Sequence, residues 1–266
     1  MISVSQLFIY PLKSSAGISL ENSLVTLQGL NHDRTLAVID DNNQIITGRE
    51  YPKLLRIRAE VTEREIQLHS DRNSKSGSTQ VSADPIDIKI FSHTTQGCQL
   101  DNGLSEWLSE TLEISCKLIA LHDINRPILE KHGGKPGSRL NYGDASPILL
   151  LSEASLDDLN SRLDHPVGIL NFRPNIVVKG CNAYEEDNWK TININGCLFD
   201  VHAHCPRCIF TTIDPISQIK SPDKEPLATL SQYRKQAEGK VNFGVYLVPR
   251  NKGHISIGDN LQINPE

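Results

Sequence analysis

Apolar and polar residues alternate in short runs along most of this chain. The segments "SVSQLFIY" (3–10), "RTLAVID" (34–40), "LLRIRAEVT" (54–62), "IDIKIF" (86–91), "PNIVVKG" (174–180), "KTININGCLFDV" (190–201), "VYLVP" (245–249) and "HISIG" (254–258) are rich in β-branched residues and bounded by turn formers. That pattern predicts strands in barrel-like sheets rather than alternating βαβ units. Helical spacing is rare. It appears in "SEASLDDLNSRL" (152–163), where Ser152 is placed to cap the N-terminus and Leu156, Leu159 and Leu163 share one face. "GLSEWLSETL" (103–112) and "EPLATLSQYRKQ" (225–236) are two further candidates. The fold expected is mainly β (α+β), with a few peripheral helices. "HSDRNSKSGSTQVSADP" (69–85) reads as a long exposed hairpin loop or disordered tip, and the Gly/Pro-rich stretch 125–147 as a boundary or lid.

At 266 residues the chain is long enough for one large domain or two intimate ones, and such a chain buries roughly 75% of its unfolded surface. A net charge of −5 and a pI of about 6.0 argue against nucleic-acid binding. No window approaches the roughly 20 apolar residues that span a bilayer, so a soluble, cytoplasmic protein with no membrane partner is expected. Six cysteines, at 98, 116, 181, 197, 205 and 208, are too sparse for a disulfide framework and read as reduced thiols. Cys116 and Cys197 sit among strand-like apolar residues, where cysteine acts as a small hydrophobe. "HGGKPG" (132–137) lacks the spacing of a phosphate-wrapping Walker loop.

The densest chemistry lies in "VHAHCPRCIFTTIDP" (201–215). His202, His204, Cys205 and Cys208 are too compressed to surround one zinc ion, and no second ligand pair is apparent. "CPRC" has the spacing of a redox dithiol, but "IFTTIDP" predicts a strand where such motifs open a helix. What remains is a cysteine at a strand edge beside Arg207, whose charge favours the thiolate that binds soft metals or attacks a substrate. A buried cysteine next to an exposed arginine explains the stretch equally well. Elsewhere Lys13, Ser14, Arg49, Ser146, Asn171 and Arg173 interrupt otherwise compact segments. Each alone is an ordinary cap or solvated charge, whereas together they suit an anion such as a phosphorylated cofactor.

The order of "YPLKSSAG", "ITGREYP", "YGDASPILLLSEASLDDLN", "NFRPNIVVKG", "CPRCIFTTIDP", "FGVYLV" and "ISIGD" resembles the MOSC family over nearly the whole chain. Within it the likeness is to the mitochondrial amidoxime-reducing components and their bacterial relatives. The resemblance implies a MOSC N-terminal β-barrel-like region over 1–118 and a MOSC barrel over 119–266, with residues 1–50 packing against the latter. It implies a molybdenum–molybdopterin cofactor (Moco). Cys208 would be the protein sulfur ligand to the metal and the catalytic residue, and Cys205 would not be a ligand. Lys13, Ser14, Arg49 and Arg173 fall on positions that hold the pterin and its phosphate, with Ser146, Asn171, Arg207 and Tyr246 lining the site. Ala145 and Pro206 stand where relatives often place hydroxyl residues.

The reaction implied is reduction of N-hydroxylated compounds such as amidoximes, hydroxamic acids and N-hydroxylated purines. Electrons would come from a separate protein: a ferredoxin, a flavoprotein reductase or a cytochrome b5-like protein. Two other readings stand beside it. In one, Cys208 carries a persulfide in sulfur transfer; in the other, the chain carries the cofactor without catalysis.

Overall fold

The computed structural model describes residues 1–82, 84–90, 93–100, 103–121, 126–130, 134–135 and 138–263. The first half of the chain forms β1 (Ser3–Ile9), β2 (Ile18–Leu20), β3 (Asn22–Thr26), β4 (Gly29–Leu30), β5 (Leu36–Ile39), β6 (Arg58–Val61), β7 (Glu65–His69), β8 (Ser74–Ser78), β9 (Ile86–Ile90), β10 (His93–Gln99), α1 (Leu104–Leu112) and β11 (Lys117–Leu121). The second half forms β12 (Ile148–Ser152), α2 (Glu153–Asn160), β13 (Ile176–Lys179), β14 (Thr191–Ile194), β15 (Cys197–Pro206), α3 (Leu227–Tyr233), β16 (Asn242–Pro249), β17 (Gly253–Ser256) and β18 (Leu261–Ile263). The architecture is mainly β, as the alternation predicts.

Eight strands make the principal sheet, in the order β18-β14-β15-β16-β12-β13-β1-β2. Its two sides meet: Val4 N–H donates to Asp259 O at 2.9 Å and Leu261 N–H to Ile2 O at 2.9 Å, so the start of β1 closes against β18. Closure of this kind removes unpaired strand edges. The interior is one cluster that includes Val4, Leu7, Leu150, Ile176, Ile192, Phe199, Val245 and Leu247, all buried. On β1 the inward positions step from Val4 to Leu7 to Ile9, because the pairing with β13 shifts register between Val4 and Gln6.

The N-terminal half adds a four-stranded sheet, β5-β11-β10-β9, and a three-stranded one, β6-β7-β8, while β17-β3-β4 forms a further three-stranded sheet. Helix α1 turns Leu104, Trp107, Leu108 and Leu112 inward against this half, in a cluster with Leu36, Leu68 and Leu118. Cys116 and Cys197 are buried among such residues, as packing thiols should be. Among the described residues no helix is long and apolar enough to cross a membrane.

Helix α2 begins where the sequence places it. Ser152 Oγ accepts from Ser155 N at 3.1 Å, and the two serine hydroxyls also meet the buried carboxylate of Glu186 at 2.9 and 2.7 Å. Ser152→Ala removes both the cap and one donor to that carboxylate. The expected loss is about 1–2 kcal/mol in urea unfolding.

Three sequence expectations change. "LLRIRAEVT" is not one strand: Pro52–Arg56 is a 3-10 turn that buries Leu54 and Leu55, and only Arg58–Val61 is extended. Within 69–85, residues Ser74–Ser78 form β8, an exposed strand paired with β7, because backbone pairing does not need apolar side chains. "IFTT" after Cys208 is a 3-10 turn, Ile209–Thr212, not a strand. Thr211 and Thr212 donate their hydroxyls to the carbonyls of Cys208 and Ile209, a local bond that overrides β propensity. Of the 125–147 stretch, residues 125, 131–133 and 136–137 lie outside the described residues.

Candidate functional site

The chain leaves β1 through Tyr10–Ser15 and passes from the closed sheet to the N-terminal half. Lys13 N–H donates to Leu36 O at 2.8 Å and Ala16 N–H to Ile57 O at 2.9 Å. Ser14 takes a left-handed conformation, φ 66°. This crossing carries Lys13 and Ser14 to a cavity whose other walls come from distant parts of the sequence. Thr47 and Arg49 arrive on the loop after β5, residues 143–146 on the loop before β12, Asn171–Arg173 before β13, and Cys205–Cys208 at the end of β15. Gly48 lets the Arg49 loop lie against Phe210, since a Cβ there would come within 2.7 Å of that ring.

All nine residues singled out in the sequence line this one cavity: Lys13, Ser14, Arg49, Ser146, Asn171, Arg173, Arg207, Cys208 and Tyr246. Ala145 and Pro206 line it too. The sequence reading missed Arg34 and Asp144. Arg34 hides at the start of a predicted strand, and Asp144 reads as a turn residue in "YGDASP".

Among the described residues the wall holds five cations, Lys13, Arg34, Arg49, Arg173 and Arg207, against one carboxylate, Asp144. Asp144 pairs with Lys13, and with Arg49 at 3.3 Å. Arg126 fixes the Asp144 loop by donating to Asp144 O at 2.9 Å. Burial pushes the Lys13 ammonium down from its ordinary pKa, with Asp144 opposing. For Asp144 burial acts upward, but Lys13 and then Arg49 outweigh it and hold the carboxyl at about 2. Its side chain is half exposed, 51%, so solvent screens part of this.

A depressed carboxylate stabilises the fold above its unfolded pKa of about 3.9 and loses that contribution as pH falls toward 2. Wild type should therefore melt above Asp144→Asn at pH 6, with the gap closing by pH 2. A gap that stays constant across that range would refute the pairing.

Two guanidinium groups share the ring of Tyr10, Arg34 at 4.4 Å and Arg173 at 4.1 Å from its centroid. Arg34 is answered by the buried carboxylate of Asp33 and by Asn175 Oδ1 at 3.1 Å. Arg173 donates to Ser15 O at 2.6 Å, and burial pushes its pKa down to about 10. Arg207 donates Nη1–H to Cys205 Sγ at 2.7 Å and Nη2–H to Phe172 O. Among the described residues, Nη2 of Arg173 and Nε of Arg207 find no hydrogen-bond partner. The wall thus carries cationic donors that the protein's own acceptors do not satisfy.

The two cysteines of "CPRC" differ sharply. Cys205 is buried and Cys208 exposed. Cys208 precedes the 3-10 turn with extended backbone, φ −128° and ψ 177°, and its side chain does not cap that turn. An accessible thiol beside surplus positive charge suits a thiophilic metal attached to an anionic group.

Residues 137–262 match the MOSC domain and residues 1–115 the MOSC N-terminal beta barrel domain. The mitochondrial amidoxime-reducing component 1 of Mus musculus is 35% identical over 274 residues, covering 96% of this chain and 80% of that protein. The Homo sapiens protein of the same name is 34% identical over 284 residues, covering 96% and 81%. A molybdenum cofactor sulfurase of Solanum lycopersicum is 31% identical over 270 residues, covering 92% of this chain and 33% of that protein.

Proposed function

Because the chain belongs to the MOSC family, in the group that includes the amidoxime-reducing components, we propose that it holds a molybdenum cofactor in this cavity and reduces N-hydroxylated compounds. The observation that carries the reading is the exposed Cys208 thiol in a wall of five cations and one carboxylate. That set fits the cofactor, since Cys208 offers the soft ligand and the guanidinium groups offer donors for a phosphate. When bound, the cofactor would supply the two electrons that cleave the N–O bond, with two protons taken from solvent and the oxygen leaving as water.

The chain's own residues bind and orient. Arg173 and Arg207 place fixed positive charge in the wall, and Lys13 with Arg49 adds charge on the Asp144 side. Ser14, Ser146, Asn171 and Tyr246 line the remaining surface. Asn171 is itself tied to Thr211 O at 3.2 Å, which couples its position to the turn that follows Cys208. Electrons would enter from a separate protein such as a ferredoxin, a flavoprotein reductase or a cytochrome b5-like donor.

The test is to purify the chain from a host that makes the cofactor, quantify molybdenum and pterin per chain, and assay benzamidoxime reduction with a chemical electron donor. Near-stoichiometric metal together with benzamidine formation is expected. Metal without reduction would leave a cofactor carrier. No metal from that host would overturn the reading and favour sulfur transfer through Cys208.

A further inference from the structure

The proposed function gives the first cysteine of "CPRC", Cys205, no part in holding the cofactor, although it lines the cavity. It is buried, 4% exposed, yet its sulfur faces two polar side chains of the cavity wall. Arg207 Nη1–H points at Cys205 Sγ at 2.7 Å, and the Tyr246 hydroxyl also hydrogen-bonds this sulfur. Arg207 is otherwise held by Phe172 O and lies over the Phe172 ring at 5.2 Å. Both terminal nitrogens of the guanidinium are therefore fixed, one by a carbonyl and one by the sulfur. Backbone bonding sets the base of the side chain, because Arg207 N–H donates to Val241 O at 2.7 Å.

We propose that Cys205 is a positioning residue: its sulfur locks the Arg207 guanidinium in the cavity wall, so that an anionic ligand meets a preorganised charge. Long cationic side chains lose rotamer freedom when they bind, and a group already immobilised gives that up during folding instead. Sulfur so engaged is also withdrawn from ligation, which leaves Cys208 as the thiol open to a metal. This lock rests on the proposed function only in that the cavity receives an anion, and its test needs no turnover.

Inorganic pyrophosphate is the probe, titrated calorimetrically into the cofactor-free chain. Cys205→Ala should weaken its binding about 10-fold, and Cys205→Ser, which keeps an acceptor, should stay within about 3-fold of wild type. In a cycle with Arg207→Met, the double variant should bind no more weakly than Arg207→Met alone, because Cys205 acts through Arg207. Should Cys205→Ala not fold, Cys205→Val fills the sulfur's volume without accepting a bond and takes its place in the cycle.

Effects that multiply in the double variant, or Cys205→Ser binding as weakly as Cys205→Ala, would overturn the proposal in favour of a packing role. No pyrophosphate binding by wild type at millimolar concentration would overturn it as well. Iodoacetamide labelling of the native chain should modify Cys208 and spare Cys205, and equal labelling would contradict the lock. Failure of benzamidoxime reduction alone would strike the reductase reading and leave this one standing.

Discussion

Cys208→Ala should lose molybdenum-dependent reduction by at least about 10³-fold, retain little metal, and melt with wild type when both are cofactor-free. The two halves of that expectation have separate physical grounds. Cys208 is exposed, and its side chain caps nothing in the turn that follows, so removing the sulfur creates no cavity and leaves no buried donor or acceptor unpaired. Substitutions of that kind usually shift stability by less than about 0.5 kcal/mol. The metal, by contrast, would lose its one proposed protein ligand. A thermal melt of the cofactor-free proteins and a metal assay after expression in a cofactor-making host read the two halves independently. A variant that melts well below wild type would show that the sulfur is structural. A variant that keeps full metal and rate would remove Cys208 from the chemistry altogether.

The strand pattern is legible in the sequence because it is local: β1, β5, β9 and β13 each fall inside a short alternating or β-branched segment bounded by turn formers, while β16 begins three residues before "VYLVP". What alternation does not carry is pairing. Nothing local says that residues 2–4 meet residues 258–261, which is the contact that closes the principal sheet. The site is legible in part for the opposite reason. Lys13, Arg49 and Arg173 stand out because they interrupt apolar or turn segments, and the family resemblance supplies their common purpose. Asp144 and Arg34 give no such signal. Asp144 sits in a loop where aspartate is the expected turn residue, and its meaning appears only when Lys13 and Arg49, 131 and 95 positions away, reach its carboxylate. The 3-10 turn at Ile209–Thr212 misleads because β-branched residues favour strands on average, while two threonine hydroxyls bonding back to the chain decide the case.

Arg173→Met should separate binding from stability, and in opposite directions. In the cofactor-free chain the Arg173 guanidinium is a poorly compensated charge. Burial pushes its pKa down to about 10, Tyr10 opposes that shift, and the neighbouring Arg34 adds to it. Arg34 on the same ring has Asp33 beside it, whereas Arg173 has a carbonyl at 2.6 Å and an Nη2 with no partner among the described residues. A base whose folded pKa lies below its ordinary unfolded value destabilises the fold wherever the unfolded chain holds the proton. That penalty is complete at pH 7, shrinks as pH rises through about 10, where the folded chain gives up the proton, and is gone once the unfolded chain gives it up too. Methionine removes it, together with one hydrogen bond and the contacts to the Tyr10 and Phe210 rings, each worth about 1 kcal/mol. The cofactor-free variant should therefore melt at or above the wild-type temperature at pH 7. Its affinity for pyrophosphate should fall at least about 10-fold, because a fixed donor for the anion is gone. Molybdenum content after expression in a cofactor-making host should fall with it. A melting temperature well below wild type would instead make Arg173 a structural residue, and unchanged pyrophosphate binding would place the anion elsewhere in the cavity.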